Sequence, residues 1–225
     1  MFDVIRKAEY FDCLDRGLAP RNDMSLKGIQ DGWTLSQLCD VKGKRMLEVG
    51  GGNSRVLPQL EGNKLWNVDR FEGVGQGPTK VPTQRGIEVI RAFMGDFSPL
   101  LPEVDIVFSI SVIEHIPFES YVDTFADMAR CLPSGGVMIH TVDLPLADVA
   151  LTHSDTRLRL LREAVEQAGL RWREVPSIGP GATFEADMAS NSDLSTWQWT
   201  KISEATKLSG PLYQLVSIKM IAEKP

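Results

Sequence analysis

Residues 46–54, MLEVGGGNS, decide the fold of this chain. A short apolar run contains an acid, Glu48, and leads into three consecutive glycines. The run predicts a strand, and residues 55–60 place apolar side chains on one helical face. Glycine has no Cβ, so a ligand can approach the backbone of such a turn closely. The segment therefore predicts a strand, a ligand-binding glycine turn and a helix.

Two classes of cofactor bind above a glycine turn at the end of a first parallel strand, nicotinamide dinucleotides and adenosyl compounds. The dinucleotide fingerprint G-x-G-x-x-G is met by Gly50 and Gly52 but fails at Arg55. Glu48, two residues before Gly50, gives the pattern E-x-G-x-G instead. That pattern resembles the first motif of the class I S-adenosylmethionine-dependent methyltransferases, although the family's frequent third glycine is Ser54 here.

Four later segments resemble motifs of the same family, in the same order. An apolar strand ends in Asp69, and an acid about 20 residues after the first motif is where a ribose is held. The other three are residues 87–97, which end in Gly-Asp-Phe, residues 104–116, which contain a Glu-His pair, and residues 132–142, a turn into a fifth strand. The resemblance covers residues 45–142.

The resemblance and the alternation of strand and helix predict the same architecture. The fold is expected to be a Rossmann-like α/β sheet, mostly parallel with an antiparallel last strand, with helices on both faces. Its strands should include residues 170–175 and 212–222, and Asp143 should stand at the tip of the fifth strand. Helical spacing predicts helices over residues 3–16, 35–39, 118–132 and 157–168.

The family resemblance implies S-adenosylmethionine as cofactor and a site at the carboxyl ends of the strands. Asp69 would bind the ribose hydroxyls, and Asp96 would accept from the adenine amine with Phe97 beside the base. Glu48 would fix the turn or reach the cofactor ammonium through water. A purely structural Glu48 and a Phe97 packed in the core are the alternatives. The predicted cofactor-binding residues are Glu48, Gly50, Gly51, Gly52, Asn53, Asp69, Arg70, Gly95, Asp96, Phe97, Ser109 and Ser111.

Methyl transfer to a hydroxyl requires positioning and removal of a proton. His115 is the first candidate for the base, because it follows the fourth strand and an imidazole accepts protons near neutral pH. A role in holding the loop is the alternative for His115, and Asp143 is the second candidate. No metal is predicted, since the three cysteines are isolated and the three histidines lack ligand spacing.

The acceptor is predicted to be a small molecule methylated on oxygen or nitrogen. Amino-methylating nucleic-acid enzymes carry D/N-P-P-Y/F after the fourth strand, whereas residues 111–114 read SVIE. The net charge of −6 also disfavours nucleic acid as a partner. Two rival functions differ in class. A nicotinamide-dependent oxidoreductase is disfavoured by Glu48 and Arg55, and a non-catalytic S-adenosylmethionine-binding regulator stays open.

The chain of 225 residues suits one domain. We expect a helical extension over residues 1–40, a core over 45–175, an insertion over 176–210 and a final strand over 211–225. The insertion and the amino-terminal helix should border the acceptor pocket, with simple packing as the alternative. No signal peptide is recognised and no apolar run approaches the about 18 residues of a membrane span, so a cytoplasmic protein without a membrane partner is expected.

Overall fold

The structure is a computed structural model that describes residues 1–19, 26–73, 77–147, 152–182 and 213–225. The strands are β1 Phe2–Val4, β2 Arg45–Val49, β3 Lys64–Asp69, β4 Ile87–Arg91, β5 Ile106–Ile110, β6 Val137–Ala147, β7 Arg171–Trp172 and β8 Tyr213–Glu223. The α-helices are α1 Lys7–Asp15, α2 Leu26–Leu38, α3 Tyr121–Cys131 and α4 Thr152–Gln167. Short 3₁₀ helices cover Leu57–Gln59, Ile113–His115 and Phe118–Ser120.

The described strands form one sheet in the order β1-β8-β6-β5-β2-β3-β4, with β7 paired to β8. The five strands from β6 to β4 are parallel to one another. Strand β8 is antiparallel to β6, and β1 and β7 are antiparallel to β8. This arrangement confirms the predicted mostly parallel sheet with an antiparallel last strand. The carboxyl ends of β2 to β6 consequently lie at one edge.

Helices cover both faces of the sheet because neighbouring residues of a strand point to opposite sides. Leu47 of β2 belongs to a buried cluster that includes Phe125 of α3. Met46, its neighbour, belongs to a second cluster with Trp33 of α2 and Phe108 of β5. Strand β2 is thus buried on both faces, as its continuous apolar sequence indicates.

Helix α2 is longer than predicted, because the sequence suggested an irregular segment before residue 35 and the helix begins at Leu26. The interpretation rested on Gly28 and Gly32, which disfavour helices. A Cβ on Gly32 would lie 2.9 Å from the Cβ of Ala19 and 3.4 Å from that of Cys13. The glycine therefore lets the helix pack closely against the preceding segment, and this tertiary contact outweighs intrinsic propensity.

Two strands differ from the prediction near the carboxyl-terminal half. Strand β6 does not turn away at Asp143 but continues to Ala147, because β8 pairs with it along its whole length. Asp143 therefore lies within a strand, opposite Ser217. The predicted strand over residues 170–175 is reduced to Arg171–Trp172.

Three shorter differences concern the ends of elements. The predicted amino-terminal helix begins at Lys7, because residues 2–4 instead pair with β8 as strand β1. The helix predicted after the glycine turn is only the 3₁₀ turn Leu57–Gln59. Helix α4 begins at Thr152, before the predicted start.

The remaining segments are the loop between β3 and β4 and the predicted insertion. The described residues between β3 and β4 contain no helix, as the glycines and prolines there predict. Of the predicted insertion, residues 183–210 lie outside the described part. None of the described helices is long and apolar enough to span a membrane.

Candidate functional site

The glycine turn after β2 packs between the end of β3 and the segment that follows β5. Gly50 has a left-handed φ of 65° and donates its N–H to the carbonyl of Val68 at 2.7 Å. A Cβ on Gly50 would lie 2.7 Å from the methyl groups of Val112, and one on Gly51 would lie 2.8 Å from the carboxyl carbon of Glu48. The glycines are therefore required by close approach, and they bring the turn against the segment that follows β5.

Glu48 stabilises this turn through a hydrogen bond with Ser54. The Ser54 hydroxyl donates to Glu48 Oε2 in a short hydrogen bond, and Ser54 Oγ accepts the N–H of Leu57 at 2.9 Å. Only 4% of Glu48 is exposed, and this burial raises the pKa of its carboxyl to about 7. Ser54, at the position of the family's third glycine, thus connects the acid to the start of the following 3₁₀ helix.

A cavity of about 50 Å³ opens beside the turn, lined by Gly50, Gly51, Asn53 and charged side chains. Lys27 and Asp31 come from α2, and Arg55 follows the turn. Lys27 Nζ donates to the carbonyl of Ile110 at 3.1 Å, and Arg55 forms an ion pair with Asp31. Sequence reasoning missed Lys27 and Asp31, whose spacing of one helical turn has meaning only once α2 is known to be a helix.

Asp69 lies at the end of β3, adjacent to the glycine turn. Its Oδ2 accepts the N–H of Gly52 at 3.2 Å and its Oδ1 accepts that of Phe71 at 2.8 Å. Each carboxylate oxygen has a further lone pair for a ligand. Arg70 is exposed, with its guanidinium carbon 3.9 Å from the centroid of the Phe93 ring. The structure therefore brings Asp69 to the turn.

The loop from β3 to β4 folds back over this turn. The Gln84 side-chain amide donates to the carbonyl of Ser54 at 2.8 Å. A Cβ on Gly52 would lie 3.1 Å from Pro78. The described part of the loop therefore forms a wall of the site.

The loop after β4 is held by a buried acid that the sequence did not reveal. Asp127 of α3 is 0% exposed, and its Oδ2 accepts the N–H groups of Gly95 at 2.9 Å and Phe97 at 3.1 Å. Arg130 donates to its other oxygen at 2.7 Å. Asp96 between these residues is exposed, and Phe97 is 46% exposed rather than packed in the core.

Backbone strain is concentrated at the same edge of the sheet. Among the described residues, the non-glycine positions with positive φ are Phe71 at 56°, Phe97 at 52° and Ser111 at 56°. They follow β3, β4 and β5 respectively. Such a conformation costs about 1–2 kcal/mol per residue. Two of these residues are held by hydrogen bonds, because Phe71 donates its N–H to Asp69 and Phe97 donates its N–H to Asp127. Strain of this kind is typical of binding sites.

A polar cluster follows β5, next to the glycine turn. Ser111 Oγ lies 2.7 Å from Glu114 Oε1 and 3.0 Å from Asp143 Oδ1. The Gln30 amide of α2 donates to Asp143 Oδ1 at 2.6 Å. Burial, and then the negative charge of Asp143, raise the pKa of Glu114 to about 7. Three separate parts of the chain thus bring carboxyl, hydroxyl and amide groups together.

The remaining predicted residues lie in different surroundings. His115 is exposed, although it shares a 3₁₀ helix with Glu114. Ser109 is 0% exposed, and its hydroxyl lies 2.7 Å from His140 Nδ1 inside the sheet, so the structure does not bring it to the cleft. Burial lowers the pKa of His140 to about 3. In the described part of the chain, no group of three or more His, Cys, Asp and Glu is arranged to hold a metal.

Comparison with known proteins agrees with this geometry. Residues 47–140 match the family model described as a methyltransferase domain. A TehB-like S-adenosylmethionine-dependent methyltransferase from Corynebacterium glutamicum has a TM-score of 0.53 and 13% identity, covering 97% of this chain and 96% of that one. No curated protein matches the sequence.

Two further solved structures have similar folds and different partners. A Haemonchus contortus N-methyltransferase in complex with phosphomonomethylethanolamine and S-adenosylhomocysteine has a TM-score of 0.56 and 18% identity, covering 85% of this chain and 51% of that one. A methyltransferase in complex with the Haloferax volcanii Trm112 methyltransferase activator has a TM-score of 0.53 and 17% identity, covering 97% and 96%. Identities this low support the fold alone.

Residues 47–140 match a methyltransferase domain, and the sheet order agrees with the class I methyltransferase fold. These findings support a class I S-adenosylmethionine-dependent methyltransferase. Its cofactor is S-adenosylmethionine, and its reaction is methyl transfer, as predicted.

Proposed function

We propose that the methyl acceptor is a small molecule, methylated on oxygen or nitrogen, that binds beside Ser111, Glu114 and Asp143. The observation that carries this proposal is the half-buried polar cluster adjoining the glycine turn. Buried polar atoms normally have hydrogen-bond partners, yet Glu114 Oε2 and Gln30 Oε1 have none among the described residues. A polar ligand at this position would satisfy them.

The cofactor is proposed to extend along the strand ends from α2 to the loop after β4. When bound, S-adenosylmethionine supplies a methyl group on a positively charged sulfur. Lys27 and Asp31 have the charges to pair with its methionine carboxylate and ammonium. Asp69 would accept from the ribose hydroxyls, and Asp96 and Phe97 would contact the adenine. The glycines support this fit, because side chains at these positions would fill the turn.

A small acceptor is favoured over a nucleic acid on chemical grounds. The polar cluster contains the carboxyl groups of Glu114 and Asp143, and an ionised carboxylate there would repel a phosphate backbone. The chain as a whole has a net charge of −6. The Haemonchus contortus structure, which has a similar fold, is in complex with phosphomonomethylethanolamine, and this supports a small acceptor here.

We propose Asp143 as the group that receives the proton of a hydroxyl acceptor. Asp143 belongs to the polar cluster, whereas the exposure of His115 favours a surface role for the residue that the sequence ranked first. Asp143→Asn should lower turnover by about 10²–10⁴-fold, as loss of a positioned base does, with cofactor affinity retained. His115→Gln, the adjacent control, should keep near-parent turnover. The reverse ranking of the two variants would restore His115 as the base.

The acceptor class is tested by measuring S-adenosylhomocysteine release against small alcohols, phenols and amines, with RNA and protein substrates as comparisons. Transfer to small acceptors with an Asp143-dependent rate is expected. Transfer confined to RNA or protein would contradict the proposal, although methyl transfer itself would stand.

A further inference from the structure

The contacts of Ser111 require a proton on one of the two neighbouring carboxyl groups. Its hydroxyl oxygen lies within hydrogen-bond distance of Glu114 Oε1 at 2.7 Å and of Asp143 Oδ1 at 3.0 Å. A hydroxyl has a single proton to donate. With both carboxyls ionised, the two contacts would have to share this one hydrogen. A full hydrogen bond at each contact therefore needs one carboxyl to donate to Ser111 while Ser111 donates to the other.

The neighbours of the pair indicate which carboxyl holds the proton. The Gln30 amide donates to Asp143 Oδ1 at 2.6 Å and to Ser217 Oγ at 3.0 Å. Asp143 Oδ1 is therefore already a hydrogen-bond acceptor, which leaves Glu114 Oε1 as the oxygen that donates to Ser111. The chain of donors then runs from Glu114 Oε1–H to Ser111 Oγ–H to the Asp143 carboxylate.

Among the described residues, charged and titratable groups reach the pair from helices α3 and α4. Arg157 of α4 donates to the backbone carbonyl of Glu114 at 3.0 Å and to that of Asp143 at 3.4 Å, and it lies 3.3 Å from His153. Tyr121 of α3 donates to the carbonyl of Ile113 at 3.3 Å. The cation therefore faces the backbone of both acids, and Glu114 Oε2 is left buried without a partner among the described residues.

We propose that Glu114, Ser111 and Asp143 form a relay that takes up the proton of the methyl acceptor and shares it between the two carboxyl groups. This inference rests on the proposed function. The acceptor loses its proton to Asp143 as its bond to the methyl carbon forms and the carbon–sulfur bond breaks. Asp143 then donates to Ser111 Oγ, and the Ser111 proton passes to Glu114 Oε1.

The relay separates the site of proton uptake from the site of proton storage. The arrangement in the structure, with one proton held by Glu114, is the state after uptake. The state that receives a proton has both carboxyls ionised. Because burial and the charge of Asp143 raise the pKa of Glu114 to about 7, that state is populated above neutral pH. Turnover should therefore increase as pH rises through this value.

The shared proton can be observed without any acceptor. Carboxyl chemical shifts of the full-length protein, labelled with ¹³C in its glutamate side chains, should show Glu114 titrating near pH 7. The Glu48→Gln background removes the other glutamate whose pKa is raised in the described part of the chain, and Glu114→Gln assigns the signal. Asp143→Asn should lower the pH at which Glu114 titrates by about one unit or more, because a like charge is removed. Asp123→Asn, on the exposed side of α3, is the matched control.

A second variant keeps the proposal testable if Asp143→Asn does not fold. Gln30→Met removes a donor to the ionised pair, so the Glu114 titration should move to higher pH. If Glu114 titrates with the ordinary glutamates, or if its titration moves in neither variant, Glu114 and Asp143 do not share a proton.

The use of the relay is tested on the rate. In the parent protein, turnover of a hydroxyl acceptor should fall below pH 7, and Glu114→Gln should shift that limb toward lower pH. An unchanged profile in Glu114→Gln, with the shared titration present in the parent, would overturn the relay. A parent protein that methylates no hydroxyl acceptor would overturn the proposed function instead, whatever the titration shows.

Discussion

Replacing Glu48 by glutamine should make the protein more stable above neutral pH. Burial raises the pKa of Glu48 from its ordinary value of 4.5 to about 7. Between these values the folded protein binds a proton that the unfolded chain has lost, so the free energy of unfolding falls as pH rises. A pH unit corresponds to about 1.4 kcal/mol, so the difference of about 2.5 units is a penalty of about 3 kcal/mol.

Glutamine keeps the acceptor for the Ser54 hydroxyl and removes the titrating proton, so Glu48→Gln should avoid this penalty. Thermal unfolding at pH 5 and pH 8 is the assay. At pH 8 the variant should unfold about 6–12 °C above the parent, since 1 kcal/mol shifts Tm by about 2–4 °C in a chain of this size. At pH 5 the difference should be smaller.

Two controls separate Glu48 from other carboxyl groups. Glu61→Gln changes an exposed residue and should leave the pH dependence unaltered. Glu114, whose pKa is also raised to about 7, should contribute a second fall in the same pH range, so Glu48→Gln/Glu114→Gln should be flatter than either single variant. A Glu48→Gln protein with the pH dependence of the parent would refute the assignment of a buried, protonated Glu48.

Three substitutions test the proposed cofactor site by calorimetry with S-adenosylmethionine. Asp69→Ala should weaken binding by about 1–3 kcal/mol, the cost of unmade hydrogen bonds to a charged group; unchanged affinity in a folded variant would exclude a ribose contact. Gly52→Val should abolish binding, because its φ is 52° and an added Cβ would lie 3.1 Å from Pro78; retained binding would limit the glycine to a dispensable role in the turn. Asp127→Asn should lower both the affinity for S-adenosylmethionine and the Tm, whereas Asp123→Asn on the same helix should change neither. Equal effects of the two substitutions would contradict a role of Asp127 in stabilising the loop after β4.

The central strands were predictable from sequence because both of their faces are buried. Strands β2, β3 and β5 are short apolar runs, and parallel strands of this kind need no polar alternation. Elements whose form depends on distant partners were not predictable. Strand β1 forms only because β8, at the other end of the chain, pairs with it. Helix α2 tolerates Gly32 because the close contact with Ala19 requires it.

The cofactor site was predictable to the extent that its residues lie in strand-end motifs. Asp69 follows an apolar run, and the glycines form a pattern that can be recognised in a sequence. Lys27, Asp31 and Asp127 lie on helices, where their spacing is that of ordinary charged surface residues. Their positions at the site depend on where α2 and α3 cross the sheet edge, which local sequence does not specify.

Glu114 and His115 show most clearly where sequence reasoning stops. Both follow the same strand, and histidine is the more usual base near neutral pH, so the sequence favoured His115. In the structure the short 3₁₀ helix Ile113–His115 buries the Glu114 carboxyl and exposes the imidazole. Consecutive residues of a 3₁₀ helix point about 120° apart, since it has 3 residues per turn, so only one of two neighbours can face the interior. Which one does so depends on the turn at Ser111, whose left-handed backbone starts the segment. A carboxyl buried in this way acquires a raised pKa and becomes a group that exchanges protons near neutral pH. The glutamate beside His115 therefore acquires a property that the sequence alone had suggested only for a histidine.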